Sequence, residues 1–271
     1  MDVGALEISG YALALLIGVS LGLIGGGGSI LTFPVLTYFL GVNAVTATAY
    51  SLFIVRTTAL IGMLKLNRRG MVNFRIGLIF AIPSFIAVWI TRAYVIPAIP
   101  NTMLSWDDWI LTKDLFLTFL FSILMLIASI SMIRRKSPEP ADDTHKSLNY
   151  IRIMTDGLVV GVITGLVGAG GGFLIIPALV FLTGLDMKTA VGTSLLIITM
   201  KSLIGFTGDL TNEEIYFDWV MLLSFTAIAI GGIFIGARLS KIVSGAQLKR
   251  IFGWTVFLLG LFMIVDKSMD I

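Results

Sequence analysis

The run Gly25-Gly26-Gly27-Gly28-Ser29 lies inside an otherwise apolar stretch, between Leu23-Ile24 and Ile30-Leu31, with Pro34 shortly after. Glycine weakens a helix interior more than any residue except proline, so a helix entering this stretch has to break there. The chain does this twice. Gly168-Ala169-Gly170-Gly171-Gly172-Phe173-Leu174 repeats the pattern, with Pro177 in the place of Pro34. A constant offset of 143 residues pairs Gly18 with Gly161, Gly22 with Gly165, Gly41 with Gly184 and Ser51 with Ser194. About 19 of the 45 positions from Gly18 to Gly62 are identical to their partners, which makes the chain two related halves.

The surroundings of the breaks decide the class. Of 271 residues 57% are hydrophobic and 13% charged, against about 25% charged in a soluble domain; mean hydropathy is +0.99. Too little polar material remains to cover a soluble surface. Apolar segments of helical length recur from end to end without lipid-facing alternation, so the chain reads as an all-α polytopic membrane protein rather than a barrel. It has no cysteine and one histidine, His145, in a polar loop. No metal or other cofactor is expected. The glycines do not follow a strand and lack a Gly-Lys-Ser/Thr sequel, which excludes a nucleotide-binding loop; no nucleic-acid partner is expected. The N-terminus lacks the basic region of a cleaved signal peptide, so the first apolar segment is expected to be retained.

Five apolar segments fall in each half: 11–24, 30–40, 44–64, 76–99 and 115–133, then 154–167, 173–183, 189–206, 219–237 and 248–265. The polar interval 134–149 reads as a cytoplasmic linker between an N-terminal membrane repeat, 1–133, and a C-terminal one, 150–271. Lys65, Arg68, Arg69, Arg75, the linker cations, Arg152, Lys188, Arg238, Lys241, Lys249 and Arg250 can all be placed on one side, which the excess of cations marks as cytoplasmic. Asp107-Asp108, Asp209, Glu213-Glu214, Asp218 and both termini then lie outside. Under this scheme 154–183 starts and ends inside, and 11–40 starts and ends outside. Each is too short for two crossings of about twenty residues. The expected fold is therefore two inverted five-segment repeats, each opening with a glycine-broken re-entrant helical hairpin whose tip meets the other near the midplane.

Helices beginning after the breaks would aim unpaired N–H groups and a partial positive charge at the membrane centre. Such broken helices hold anions in transporters. The bland alternative is that these glycines serve close helix packing. Arg56 and Lys201 lie deep in the third segment of each half, at positions where charge is costly and normally partnered. No carboxylate reads as deep, Asp156 included, so a transported anion could supply the negative charge; freed carbonyls or snorkelling are the other readings. The candidate substrate-binding residues are Gly26, Gly27, Gly28, Ser29, Ser51 and Arg56 in the first half, with Gly170, Gly171, Gly172, Thr193, Ser194 and Lys201 in the second. Most hydroxyls nearby are expected to bond back to their own turn. Asn43 and Asp186 read as helix N-caps. No catalytic residue is assigned, because no acid–base or nucleophile–base pair is visible at depth.

The two glycine-rich motifs, the run Thr189-Ala190-Val191-Gly192-Thr193-Ser194 and the duplicated length together resemble the sulfite exporter TauE/SafE family, over essentially 18–260. The resemblance implies a plasma-membrane (inner-membrane) transporter of sulfur-containing anions such as sulfite, thiosulfate or organosulfonates. An anion channel with the same site and no occluded state is the alternative. The expected partners are the anion and membrane lipid. The insertion 101–113 matches no motif of that family.

Overall fold

The computed structural model of the chain describes residues 3–26, 29–42, 44–95, 98–100, 102–106, 109–134, 150–167, 172–209 and 217–269. All ten apolar segments carry helix. In the first half α1 is Val3–Ile24, and α2 is Ser29–Pro34, continued by a π-helical turn Val35–Phe39. Next come α3, Ala44–Asn67, and α4, Phe74–Ile90, which widens into a second π-helical turn at Thr91–Val95; α5 is Lys113–Arg134. The second half holds α6, Tyr150–Val167; α7, Gly172–Phe181; α8, Met187–Asp209; α9, Trp219–Ile242; and α10, Gly245–Met269. Pro34 lacks the N–H that would continue the α ladder, and the backbone after it widens.

The helices before the breaks are longer than 11–24 and 154–167. With 22 residues α1 spans about 33 Å, the full thickness of a bilayer core, and α6 has 18 residues. The legs after the breaks are much shorter, so each broken element is lopsided: one long leg, one short. Charged and polar residues near the start, such as Glu7 and Ser9 in α1 and Arg152 in α6, do not stop a helix that already has a packing partner. Three helical stretches, Ala49–Asn67, Phe74–Val95 and Trp219–Ile242, are by themselves long and apolar enough to cross a membrane.

Packing follows an exchange between the halves. The first helix of each half lies against the fourth helix of the other: α1 on α9, and α6 on α4. Third meets third in α3–α8, and fifth meets fifth in α5–α10. Directions follow from which residues touch. Tyr11 Oη lies 3.2 Å from Ser224 Oγ, Gly18 faces the Ala229 carbonyl and Gly22 the Ile233 carbonyl, so α1 and α9 run parallel. Gly157 faces the Phe80 carbonyl, Gly161 that of Ser84 and Gly165 the Thr91 side chain, so α6 and α4 run parallel too. Glycines from α9 complete the first seam, Gly232 and Gly236 backing onto the carbonyls of Leu15 and Val19. A methyl at any of these positions would meet its neighbour, which is the small-residue packing that membrane helices use in place of hydrophobic drive.

Buried side chains such as Leu21, Leu36, Ile54, Phe80, Phe225 and Phe252 fill the interior, while Ile82, Trp89, Ile127, Leu258 and Phe262 stay more than half exposed. So wide an apolar exterior is what a bilayer solvates and water does not. The chain is a multi-pass membrane protein.

Helix starts are capped as their sequences suggest. Asp186 Oδ1 accepts from Lys188 and Thr189 N–H at 3.0 and 3.1 Å, the N-cap expected of it. Ser244 and Gln247 exchange backbone-to-side-chain bonds of 3.0 and 3.2 Å in a capping box that starts α10. Asn43 lies outside the described residues. The insertion between α4 and α5 forms an antiparallel ribbon, β1 Thr102–Trp106 and β2 Trp109–Thr112, with Trp106 opposite Trp109. Its sequence trace was two short, largely apolar runs separated by Asp107 and Asp108.

Candidate functional site

Gly25 ends α1. Its N–H donates to the Leu21 carbonyl at 2.9 Å and its φ is +78°, the left-handed cap that glycine alone adopts without strain. It is also closely surrounded: a Cβ there would stand 2.8 Å from Ser194 Oγ, and 3.2 Å from Ile176 of α7 and from Val191 of α8. Gly26 then backs directly onto the backbone of Gly172, the first residue of α7, where a Cβ would overlap the Gly172 carbonyl. The start of the first break, where α1 ends, and the start of the helix after the second are thus in backbone contact, with α8 beside them. Ser194 is fully buried and donates to the Val191 carbonyl at 2.8 Å, leaving its oxygen able to accept.

Of the residues singled out from sequence, Gly26, Gly172 and Ser194 are brought together. Ser29 begins α2. Gly27, Gly28, Gly170 and Gly171 lie outside the described residues. Thr193 faces another way: its Oγ1 accepts from the Asn73 N–H at 2.9 Å and pins the start of α4. Asn73 in turn caps α4 by accepting from Ile76 N–H at 2.9 Å. Ser51 is half-buried in α3.

Arg56 is half-buried and points back one turn, its Cζ 5.4 Å from the centroid of Phe53. Phe53 packs edge-on to Trp219, Trp219 stacks on Phe217, and Phe217 stacks on Tyr50. The Tyr50 hydroxyl accepts from the Asp218 N–H. Arg56 therefore sits under an aromatic lid that joins α3 to the start of α9, a cluster sequence reading missed. Its signal was the spacing of Tyr50, Phe53 and Arg56 on one helical face. Lys201 is half-buried in α8, and both it and Arg56 make contacts within the protein. The neighbouring hydroxyls do bond to their own turns: Thr57 to Phe53 at 2.9 Å, Thr58 to Ile54 at 2.6 Å and Thr199 to Leu195 at 2.7 Å.

Two further charged groups are more buried than their sequence positions suggested. Asp156 reads from sequence as lying at a segment end; because α6 starts at Tyr150, it lies in the second turn. Its Oδ2 is shut off from solvent without a hydrogen-bond partner among the described residues. Lys249, grouped by sequence with the surface cations, is 2% exposed, with Nζ 4.9 Å from the Phe181 ring at the end of α7. A narrow crevice bounded by Leu23, Lys188, Val191 and Ser240 lies beside the first break.

Similarity to known proteins identifies the family. The sulfite exporter TauE/SafE family profile matches residues 11–263. A "Probable membrane transporter protein" of Xylella fastidiosa is 29% identical over 254 residues, covering 92% of this chain and 91% of its own. The "Probable membrane transporter protein YdhB" of Bacillus subtilis is 28% identical over 254 residues, covering 92% and 96%. The archaeal "Probable membrane transporter protein MJ0441" of Methanocaldococcus jannaschii is 25% identical over 269 residues, covering 93% and 95%. No solved structure matches. With nearly its whole length matched, the chain belongs to the sulfite exporter TauE/SafE family.

Proposed function

We propose that this protein is a secondary transporter that moves small sulfur-containing anions, such as sulfite, thiosulfate or an organosulfonate, across the plasma membrane. The anion is held between the two glycine breaks, and access alternates as one half rocks against the other. The observation that carries the reading is the backbone contact of Gly26 with Gly172, beside Ser194. Residues from repeat-related breaks meet there, and the first-turn N–H groups of α7, which starts at Gly172, are the donors an anion would use. The choice of sulfur anions rests on the family.

Inversion of the halves is supported by the exchanged, parallel pairing of α1 with α9 and of α6 with α4. A third-helix contact between Gly62 and Leu195, carried about two turns on along antiparallel α3 and α8, brings Arg56 level with Lys201. Two cations at one depth in the bilayer favour an anion near them. On this reading the basic ends face the cytoplasm, α1 enters from outside and α6 from inside. The lopsided legs place the breaks nearer one end of their long helices than a symmetric hairpin would.

Purified protein titrated with sulfite, sulfate, thiosulfate and short organosulfonates should bind one class at least tenfold better than chloride. Proteoliposomes should accumulate that anion against its own gradient when a coupling gradient is imposed. Binding without accumulation would leave a channel; no binding to any of them would remove the anion site. Reporters at Arg69, His145 and Lys241 should read cytoplasmic, and reporters at Asp108 and Glu213 external. A cytoplasmic Glu213 would end the inverted topology.

A further inference from the structure

We infer that the outer face of α10 carries a site for one anionic phospholipid of the leaflet at the basic end of the protein. A groove of about 600 Å3 runs from the end of α9 along α10, lined by Ile242, Gln247, Arg250, Trp254, Thr255 and Leu258 among others. That volume is within the range of built ligand sites. From Gln247 to Leu258 the lining follows a single face of the helix for about 16 Å. Its charged and amide side chains are at one end. Gln247 and Arg250 sit in the first turns of α10, where the helix N-terminus adds partial positive charge. Arg250 is exposed at the mouth, whereas its neighbour Lys249 is turned inward against Phe181.

Below Arg250 the wall is apolar. Trp254 is braced edge-on by Phe257, ring centroids 5.7 Å apart. Thr255 donates its hydroxyl to the Ile251 carbonyl at 3.0 Å, so its donor is spent within the helix. Arg238 and Lys241, both exposed at the end of α9, extend the positive field around the mouth. The same end of α9 is where Lys65 Nζ and Arg69 reach the Phe234 and Ala237 carbonyls, at 3.3 and 2.8 Å. A cation over a long apolar groove in a bilayer complements a phosphate over an acyl chain. A free phosphate would leave the groove's length unexplained. The lipid site is independent of the anion-transport reading.

The test is fluorescence quenching of Trp254 in full-length protein reconstituted in phosphatidylcholine vesicles, with the Trp254→Phe signal subtracted. Acyl-dibrominated phosphatidylglycerol is compared with equally brominated phosphatidylcholine at 10 mol% or so. The anionic lipid should quench Trp254 with a relative association constant about fivefold above that of phosphatidylcholine or more. Arg250→Gln should bring the two lipids together, Arg250→Lys should keep most of the preference, and Leu258→Phe should lower quenching of Trp254 by narrowing the groove without touching the charge. Equal quenching by both lipids in the unaltered protein would overturn the site. So would an unchanged preference in Arg250→Gln, or shielding of Trp254 from both lipids, which would mean that a second copy covers the groove.

Discussion

The glycines along the α1–α9 and α6–α4 seams and those at the breaks are the same residue under two different constraints. Gly18, Gly22, Gly161, Gly232 and Gly236 have ordinary helical backbones, and only the space beside them is special: a neighbouring helix's carbonyl or main chain lies where a Cβ would be. Gly25 is constrained by its own conformation as well, being left-handed, and Gly26 by a contact between chain breaks rather than between helix faces. The 143-residue repeat carries both kinds, Gly18 and Gly22 matching Gly161 and Gly165 just as the breaks match each other. Identity across the repeat therefore does not separate packing from function. The packing alternative raised by sequence concerned the break glycines; the seam glycines are different residues, and the breaks have to be argued on their own geometry.

The seam should give the largest effect. Gly18→Leu or Gly161→Leu forces two long helices apart against backbone, and each should lower stability by about 3 kcal/mol, the top of the range for overpacking. Gly231 is the internal control, since it adjoins Gly232 yet has nothing within 4 Å of its would-be Cβ. Gly231→Leu should be neutral or mildly stabilising, because leucine is the better helix former. Thermal unfolding in detergent decides between them. A Gly18→Leu protein as stable as Gly231→Leu would dissolve the seam side of the comparison.

Next come the cations. Arg56→Gln and Lys201→Gln should each weaken anion binding ten- to a hundredfold, the worth of a charged hydrogen bond of about 1.5–3 kcal/mol. Arg56→Lys should recover part of the loss, as a point charge replaces a planar fork. Its contact with Phe53 can survive in part, so folding should hold while affinity falls. Equal affinity in all three proteins, by titration calorimetry, would confine these side chains to structure.

At the break itself, Gly26→Ala pushes against Gly172, but α7, which starts there, is short and can shift where the seam helices cannot. Binding should fall about tenfold, or about 1.4 kcal/mol, with a smaller change in unfolding temperature than Gly18→Leu causes. Gly25→Ala adds the left-handed strain of about 1–2 kcal/mol and presses on Ser194. Normal anion uptake by both would mean that the breaks, like the seams, only pack.

The helical plan was readable because its signals are local: apolar length, glycine punctuation, and caps such as Asp186 that act within three residues. What could not be read depends on partners distant in sequence. The long start of α1 needs α9 beside it, and Thr193 is drawn to Asn73, 120 residues away, rather than to its neighbour Ser194's side of the helix. The aromatic lid over Arg56 joins residues 50–56 to 217–219 in the same way. Lys249 looked like a surface cation because its charge was legible and its burial was not.

Asp156 is the residue on which the coupling account can be sharpened, and it should show the smallest effect. Sequence reading found no deep carboxylate and so no carboxylate proton relay; the structure supplies one candidate, with an oxygen shielded and unbonded among the described residues. Its position argues against a role in the anion site. It precedes Gly157 on the α4 seam, and Val167, where α6 ends before the second break, lies about 16 Å further along the helix. Asp156→Asn removes the charge of a half-buried carboxylate that has one oxygen shielded and unbonded among the described residues and Arg152 a turn away, so stability should change little. Anion binding and accumulation should stay within about twofold of the unaltered protein across pH 5.5 to 8.5, since the carboxylate lies away from the anion site and the isosteric amide leaves the adjacent Gly157 contact intact. Proteoliposomes carrying Asp156→Asn that bind the anion normally but no longer accumulate it would show a proton passing through this carboxylate. The coupling account would then fail, while the contrast between seam and break would stand.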